Sequence, residues 1–185
     1  MNKVVTSKEE ILEVSRKMIL EKGVSSFSMR TVAGKCGVAV GSIYNYYPSK
    51  TELLSDTIES IWNEIFAPFY AVAEFDSILT CVSKLFDTMK EGERNYPAFF
   101  SVHSLSFASE EKKFGKARMF HFFDGLEQKL ADCLQKDEKV RPDAFENGLT
   151  REEFAGYIFT LLVSIRLGGQ ENCQSLLCMI ENCVY

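Results

Sequence analysis

Histidine and proline are scarce in this chain, two and four among 185 residues. The histidines, His103 and His121, stand at no spacing that a zinc ligand set uses, and the six cysteines supply none either. No nucleophile elbow and no Gly-rich phosphate loop occurs. A hydrolase or thiol-dependent enzyme thus lacks its machinery, and no catalytic residue, metal or cofactor is expected. Long apolar runs are missing too. The longest, Tyr157 to Ile165, is about half of what a membrane-spanning helix needs. The segment Met1 to Ser7 has no apolar stretch of the signal-peptide kind, so the expected compartment is the cytoplasm, with no membrane partner and with all six cysteines as reduced thiols. Strict apolar/polar alternation and hairpin dipeptides are absent, which excludes a β-rich fold.

What is present is an ordinary globular balance, 46% hydrophobic and 25% charged, with fifteen Phe and seven Tyr. That much aromatic surface must sit in a core, an interface or a ligand cavity. The net charge of -5 conceals an asymmetry. Residues 1 to 50 carry eight Lys or Arg against four Glu, a balance of +4, while the remainder stands at -9. A basic head on an acidic body suits a protein that meets phosphates with one end.

The whole chain reads as helix. Ser7-Lys8-Glu9-Glu10 is a capping box that opens a first helix with Ile11, Leu12, Ser15, Met18 and Ile19 on one face and Gly23 at its end. Ser28 caps a second helix through Val32, Ala33 and Cys36, and Gly37 supplies a tight turn. A short third helix covers about 40 to 46 and stops before Pro48. Ser49-Lys50-Thr51-Glu52 then opens a long fourth helix with Pro68 near its end. Further helices are predicted at about 76–94, 96–107, 109–137, 150–168 and 171–184. Thr150 starts the first of the last two, and Gly168 and Gly169 end it.

Two short helices joined by a Gly-containing turn form a helix-turn-helix, whose second helix can enter the major groove. Val32, Ala33, Cys36, Val38 and Ile43 would lock this pair together. Gly41 and Ser42 are small enough for close approach to the groove floor, and the Ser, Tyr and Asn around them hydrogen-bond phosphates and base edges. Five blocks carry a resemblance: Glu21-Lys22-Gly23, Ser28 to Ala33, Cys36-Gly37-Val38, Gly41 to Lys50, and Glu52-Leu53-Leu54. With this spacing the segment resembles the DNA-binding domain of the TetR (tetracycline-repressor) family over about residues 8 to 58. The remainder matches only in being helical and of suitable length. The resemblance implies an all-α homodimer with a helix-turn-helix domain at 1–50 and a helical ligand-binding and dimerisation domain at 51–185. Its function would be sequence-specific transcriptional regulation, as a repressor of operator DNA released by a small effector.

At positions that match the family motif, Ser28 would cap the second helix and face phosphate, Tyr44 and Tyr46 would reach phosphate through their hydroxyls, and Lys50 would add charge at a helix N-terminus. Asn45 and Ser42 are the expected base readers, and Arg30 and Lys35 the flanking cations. Ala39 and Val40, where family members often place a polar or basic residue, leave the recognition helix without a cation. They offer methyl contacts to thymine beside Gly41.

In the body, Phe86, Phe99, His103, Phe107, Phe120 and Phe123 are candidates for an apolar ligand pocket, with His103 and His121 as polar anchors; ordinary core is the competing reading. The effector expected from such a lining is hydrophobic or aromatic. The resemblance assigns the dimer interface to the last two helices, through Tyr157, Leu161, Leu162, Ile165, Leu176, Leu177 and Ile180. Cys173, Cys178 and Cys183 recur every five residues, about 140° apart on a helix, which is poor for a shared metal, and a cysteine redox sensor is the alternative to six inert thiols. The alternative to a regulator is an interaction protein that keeps the scaffold without binding DNA; the salt slope of binding separates the two.

Overall fold

The computed structural model describes residues 6–100, 112–146 and 148–185, and every regular element among them is helical, as the sequence predicts. The elements are α1 (Lys8–Lys22), a 3-10 turn (Val24–Ser26), α2 (Met29–Lys35), α3 (Val40–Tyr44), α4 (Lys50–Tyr70), α5 (Ile78–Asn95), α6 (Pro97–Phe100), α7 (Lys112–Lys136), α8 (Arg151–Leu167) and α9 (Gln174–Val184). The helix expected at 96–107 is seen to Phe100, and its remainder lies outside the described residues. No helix among the described residues is long and apolar enough to cross a membrane.

The described residues group into two units. One comprises those up to Glu64 together with those between Glu93 and Phe120; the other runs from Ile65 to Gly92 and from His121 to Tyr185. In the first, α1 packs against α2 and α6, and α2 against α3. Ser7 caps α1 by accepting the Glu10 N–H at 3.1 Å, and Ile11, Ser15, Met18 and Ile19 form its buried stripe. Leu12 is only half-buried.

The turn after α2 is set by one glycine. Gly37 has φ +67°, a conformation that costs an L-residue about 1–2 kcal/mol. Its N–H donates to Gly34 C=O at 3.3 Å and the Val38 N–H to Ala33 C=O at 3.0 Å, the paired bonds of a Schellman motif. Gly169, at φ +70°, ends α8 the same way, with Gln170 N–H donating to Ile165 C=O at 3.2 Å.

In the second unit α5 buries Ile78, Val82, Leu85 and Phe86, α7 buries Leu126, Leu130 and Leu134, α8 buries Phe154, Ile158 and Leu162, and α9 buries Leu176, Ile180 and Val184. Thr150 starts α8 with a reciprocal capping box: its hydroxyl accepts the Glu153 N–H at 3.1 Å, and the Glu153 carboxylate accepts the Thr150 N–H at 2.9 Å. Asp137, just beyond α7, accepts from the Ile78 N–H at the start of α5 and from the hydroxyl of Tyr185. One carboxylate thus joins three parts of this unit.

Candidate nucleic-acid interface

The core beneath the helix-turn-helix consists of Phe27, Met29, Val32, Ala33, Cys36, Ile43 and Tyr47, each at most 7% exposed; Val38 is half-buried beside them. Ile43 is the inward anchor of α3, fully removed from solvent, and burying a side chain of its size stabilises by about 1.5–3 kcal/mol. With Ile43 inward, the opposite face of α3 is left to water. Ala39, Gly41, Tyr44 and Asn45 are exposed, and Val40 and Ser42 are half-buried. A Cβ added at Gly41 would meet nothing within 4 Å, so this surface has room for a large partner.

Tyr44 and Tyr46 are 48% and 39% exposed, whereas Tyr47 is turned into the core. The Lys8 ammonium lies 5.1 Å from the Tyr47 ring centroid and 3.5 Å from the Asp56 carboxylate, which ties α1 to this end of the unit. The Tyr46 hydroxyl donates to the Thr6 C=O at 2.6 Å. To donate to a phosphate it must leave that carbonyl, so its freedom differs from that of Tyr44.

Helix starts flank α3 on both sides. Ser28 caps α2, its hydroxyl accepting the Thr31 N–H at 3.1 Å and sharing a 2.7 Å hydrogen bond with the Thr31 hydroxyl. Ser49 caps α4 by accepting the Glu52 N–H at 3.1 Å, which places exposed Lys50 at the first helical position. The first N–H groups of a helix have no intrahelical partner, so Lys50 adds a cation where backbone donors already favour an anion. Arg30 is exposed on α2, and Lys35 is 3.7 Å from Glu21. Thr31 was not among the residues singled out from sequence. Its place three residues after the cap is the signal that marks it, since an exposed hydroxyl there stands beside Ser28 on the same surface. Burial, chiefly, pushes the Cys36 thiol above its ordinary range, and Glu10 adds to it.

The body candidates are dispersed. Phe86 is buried beneath the Arg166 guanidinium, 5.2 Å from its ring centroid, and Phe123 lies 5.3 Å from Phe159, both in the second unit. Phe99 belongs to the first unit, edge-on to Trp62 at 4.8 Å. His103 and Phe107 lie outside the described residues, as do the side chains of Phe120 and His121. Phe86 lines a small cavity of about 170 Å³ with Ser83, Asp87, Cys173 and Leu177. On the last two helices Tyr157 is 58% and Leu161 38% exposed, Ile165 and Leu177 are half-buried, and Leu162, Leu176 and Ile180 are buried within the protomer itself. Exposed Leu167 and Met179 extend the apolar surface beyond the residues expected from sequence. Cys173 is buried, and Cys178 and Cys183 are exposed.

Comparison with known proteins bears on this surface directly. Residues 11–57 match the model of bacterial regulatory proteins of the tetR family, a span that runs from Ile11 through α2, α3 and the start of α4. The nucleoid occlusion factor SlmA of Actinobacillus pleuropneumoniae is 28% identical over 155 residues, covering 81% of this chain and 74% of that protein. The crystal structure of the transcriptional regulator SCO7518 from Streptomyces coelicolor superposes with a TM-score of 0.63 at 19% identity, covering 96% of this chain and 97% of that one. FadR of Bacillus subtilis, solved in complex with stearoyl-CoA, gives 0.62 at 15% identity, covering 97% and 100%. At such identities the structures establish the fold.

Proposed function

We infer that this chain, which belongs to the tetR family of bacterial regulatory proteins, is a DNA-binding transcriptional regulator that places α3 in the major groove of its operator. The observation that carries this reading is the polarity of α3. Its one buried residue, Ile43, fixes it to the core, while Tyr44 and Asn45 point to solvent beside two capped helix starts. In this reading Asn45 and Ser42 read base edges and Ala39, Val40 and Gly41 approach the groove floor. Ser28, Arg30, Lys35, Tyr44, Tyr46 and Lys50 hold phosphates.

Residues 1–50 act as the reader, and residues 51–185 bind an effector and dimerise through the exposed apolar residues of α8 and α9, Tyr157 and Leu161 foremost. The regulator acts as a repressor that a hydrophobic or aromatic molecule releases. Support comes from the aromatic-rich body and from the capacity of this fold to hold stearoyl-CoA in the FadR neighbour. Ligand held in the body tilts α4 and changes the separation of two recognition helices, which a binding-competent dimer keeps about one DNA turn, roughly 34–36 Å, apart.

The test is binding of the purified chain to the DNA just upstream of its own gene, followed against salt, with Asn45→Ala and Lys50→Ala compared. Specific binding is expected to fall by roughly 1–3 kcal/mol per half-site in Asn45→Ala, and the salt slope of the dimer to flatten by about two in Lys50→Ala, one for each protomer. No binding to any DNA at low salt would overturn the reading in favour of a protein-interaction role. A second reading follows from the 28% identity to nucleoid occlusion factors: the chain occupies many chromosomal sites in nucleoid occlusion instead of one promoter. Mapping occupied sites across the chromosome separates the two by their number.

A further inference from the structure

α5 and α7 bring two cysteines together inside the second unit. Cys81 is fully buried and Cys133 is 8% exposed, and the two thiols are close enough to perturb each other's ionisation. Cys133 also lines a cavity of about 650 Å³ whose wall carries Glu74, Gln128, Lys129, Asp132 and Lys136. This wall is polar and unlike the lining expected for an apolar effector. Lys129 is fixed there: its ammonium donates to the Val72 C=O at 2.7 Å and to the Phe69 C=O at 3.3 Å, and stands 5.2 Å from the Phe69 ring centroid. No other thiol among the described residues combines a sulfur partner, a cavity and fixed cations. Cys36 and Cys173 are pushed above the ordinary thiol range, chiefly by burial, and Cys178 and Cys183 lie on the surface.

We propose that Cys133 is a covalent modification site for small hydroperoxides admitted by this cavity, and that Cys81 is the thiol that resolves the modified residue to an intramolecular disulfide. The reactive species is the thiolate. The neighbouring Cys81 thiol is the main influence holding the Cys133 thiol below its usual range; burial and Asp137 oppose it, and Lys136 and Lys129 assist. Cys81 is pushed the other way, by its Cys133 neighbour and by burial. The Cys133 sulfur attacks the peroxide, forming S–O and breaking O–O; the alkoxide leaves and takes a proton from water in the cavity. Cys81 then attacks the sulfenic acid, S–S forms as S–O breaks, and the released hydroxide carries off the Cys81 proton as water. Two electrons pass from the two thiols to the hydroperoxide.

The experiment is peroxide titration of the full chain carrying Cys178→Ser and Cys183→Ser, so that surface thiols do not compete, with tryptic mass spectrometry under non-reducing conditions. Cleavage leaves Cys81 in Thr51–Lys84 and Cys133 in Leu130–Lys136, each the sole cysteine of its peptide. The expected product joins these two peptides with loss of two hydrogens, and free thiols per chain fall from four to two. Adding Cys81→Ser to this background should trap Cys133 as a dimedone adduct. Adding Cys133→Ser should abolish both adduct and cross-link, while circular dichroism shows the helical content retained. Oxidation confined to Cys36 or Cys173, or a Cys133 sulfenic acid that persists with Cys81 present, would overturn the proposal. The readout is chemical, so either outcome leaves the DNA-binding reading to its own test.

Discussion

Asp137 offers a stability prediction whose size can be worked from its contacts. Its carboxylate accepts the Ile78 N–H at 2.8 Å, the Lys139 N–H at 3.0 Å and the Tyr185 hydroxyl, at a site only 8% exposed. In Asp137→Ala the Ile78 amide, itself at a fully buried residue, loses its cap. A lost helix cap costs about 0.5–2 kcal/mol and a stranded buried donor about 1–3. Together they predict a loss of roughly 2–5 kcal/mol, a sizeable part of the 5–15 kcal/mol typical of a folded domain. For a chain of this length that is a fall in Tm of about 5 °C or more, measured at equal protein concentration. Tyr185→Phe removes one partner of the three and should cost about 1 kcal/mol.

Acid supplies an independent check of the same contacts. Burial, the largest single influence, would raise the Asp137 carboxyl, but the hydrogen bonds from Tyr185, Ile78 and Lys139 outweigh it and hold the group below the usual carboxylate range. A pKa that is lower folded than unfolded gives stability that is complete above the unfolded value, about 3.9, and is lost as pH falls through the folded value. The stability gap between the wild-type chain and Asp137→Asn should therefore be constant from neutral pH to about 5 and shrink below 4. An Asp137→Ala protein within about 1 kcal/mol of the parent, or a gap that widens in acid, would refute the reasoning.

Gly37→Ala must place a Cβ at φ +67° and should cost about 1–2 kcal/mol by denaturant titration, although nothing lies within 4 Å of that position. An unchanged midpoint would mean that the turn relaxes to a negative φ. Tyr46→Phe should lower stability by about 1 kcal/mol through loss of the Thr6 bond. Tyr44→Phe, whose hydroxyl bonds to nothing among the described residues, should change operator affinity alone; a melting shift in that variant would count against its role at phosphate. Leu161→Asp on the exposed face of α8 should convert a dimer to monomer in sedimentation, and a persistent dimer would move the interface elsewhere.

Features that depend on near neighbours in the chain were legible in the sequence. Ser7, Ser28, Ser49 and Thr150 each cap the helix predicted for them, because a cap is a contact of three residues' reach. Gly37 was legible for the same reason. Contacts between distant residues were not. Nothing in the local pattern joins Asp137 to Ile78 and Tyr185, Tyr46 to Thr6, or Cys81 to Cys133. Periodicity also cannot say who covers an apolar face. Leu161 and Leu162 are neighbours in one apolar run, yet Leu162 is buried by its own protomer while Leu161 faces solvent. Aromatic content raised a similar ambiguity, since Phe86 and Phe99 fall in separate units that composition could not distinguish.

The absence of a cation from α3 separates two quantities that often share residues. In the proposed reading, base discrimination would rest there on neutral groups, Ser42 and Asn45, which lose little to salt. Phosphate attraction would rest on Arg30, Lys35 and Lys50, which are exposed at the margins of the proposed reader. Lys35 is already 3.7 Å from Glu21, but an exposed pair of this kind is worth at most about 1 kcal/mol and yields readily to a phosphate. A dimer would then bring about six such cations to DNA, for a salt slope near -5. The body, at -9 per protomer, opposes close approach by any other face. Attraction of the head and repulsion of the body both weaken with salt. Neutralising acidic residues of the body should therefore raise nonspecific binding to DNA while leaving the discrimination proposed for Asn45 intact.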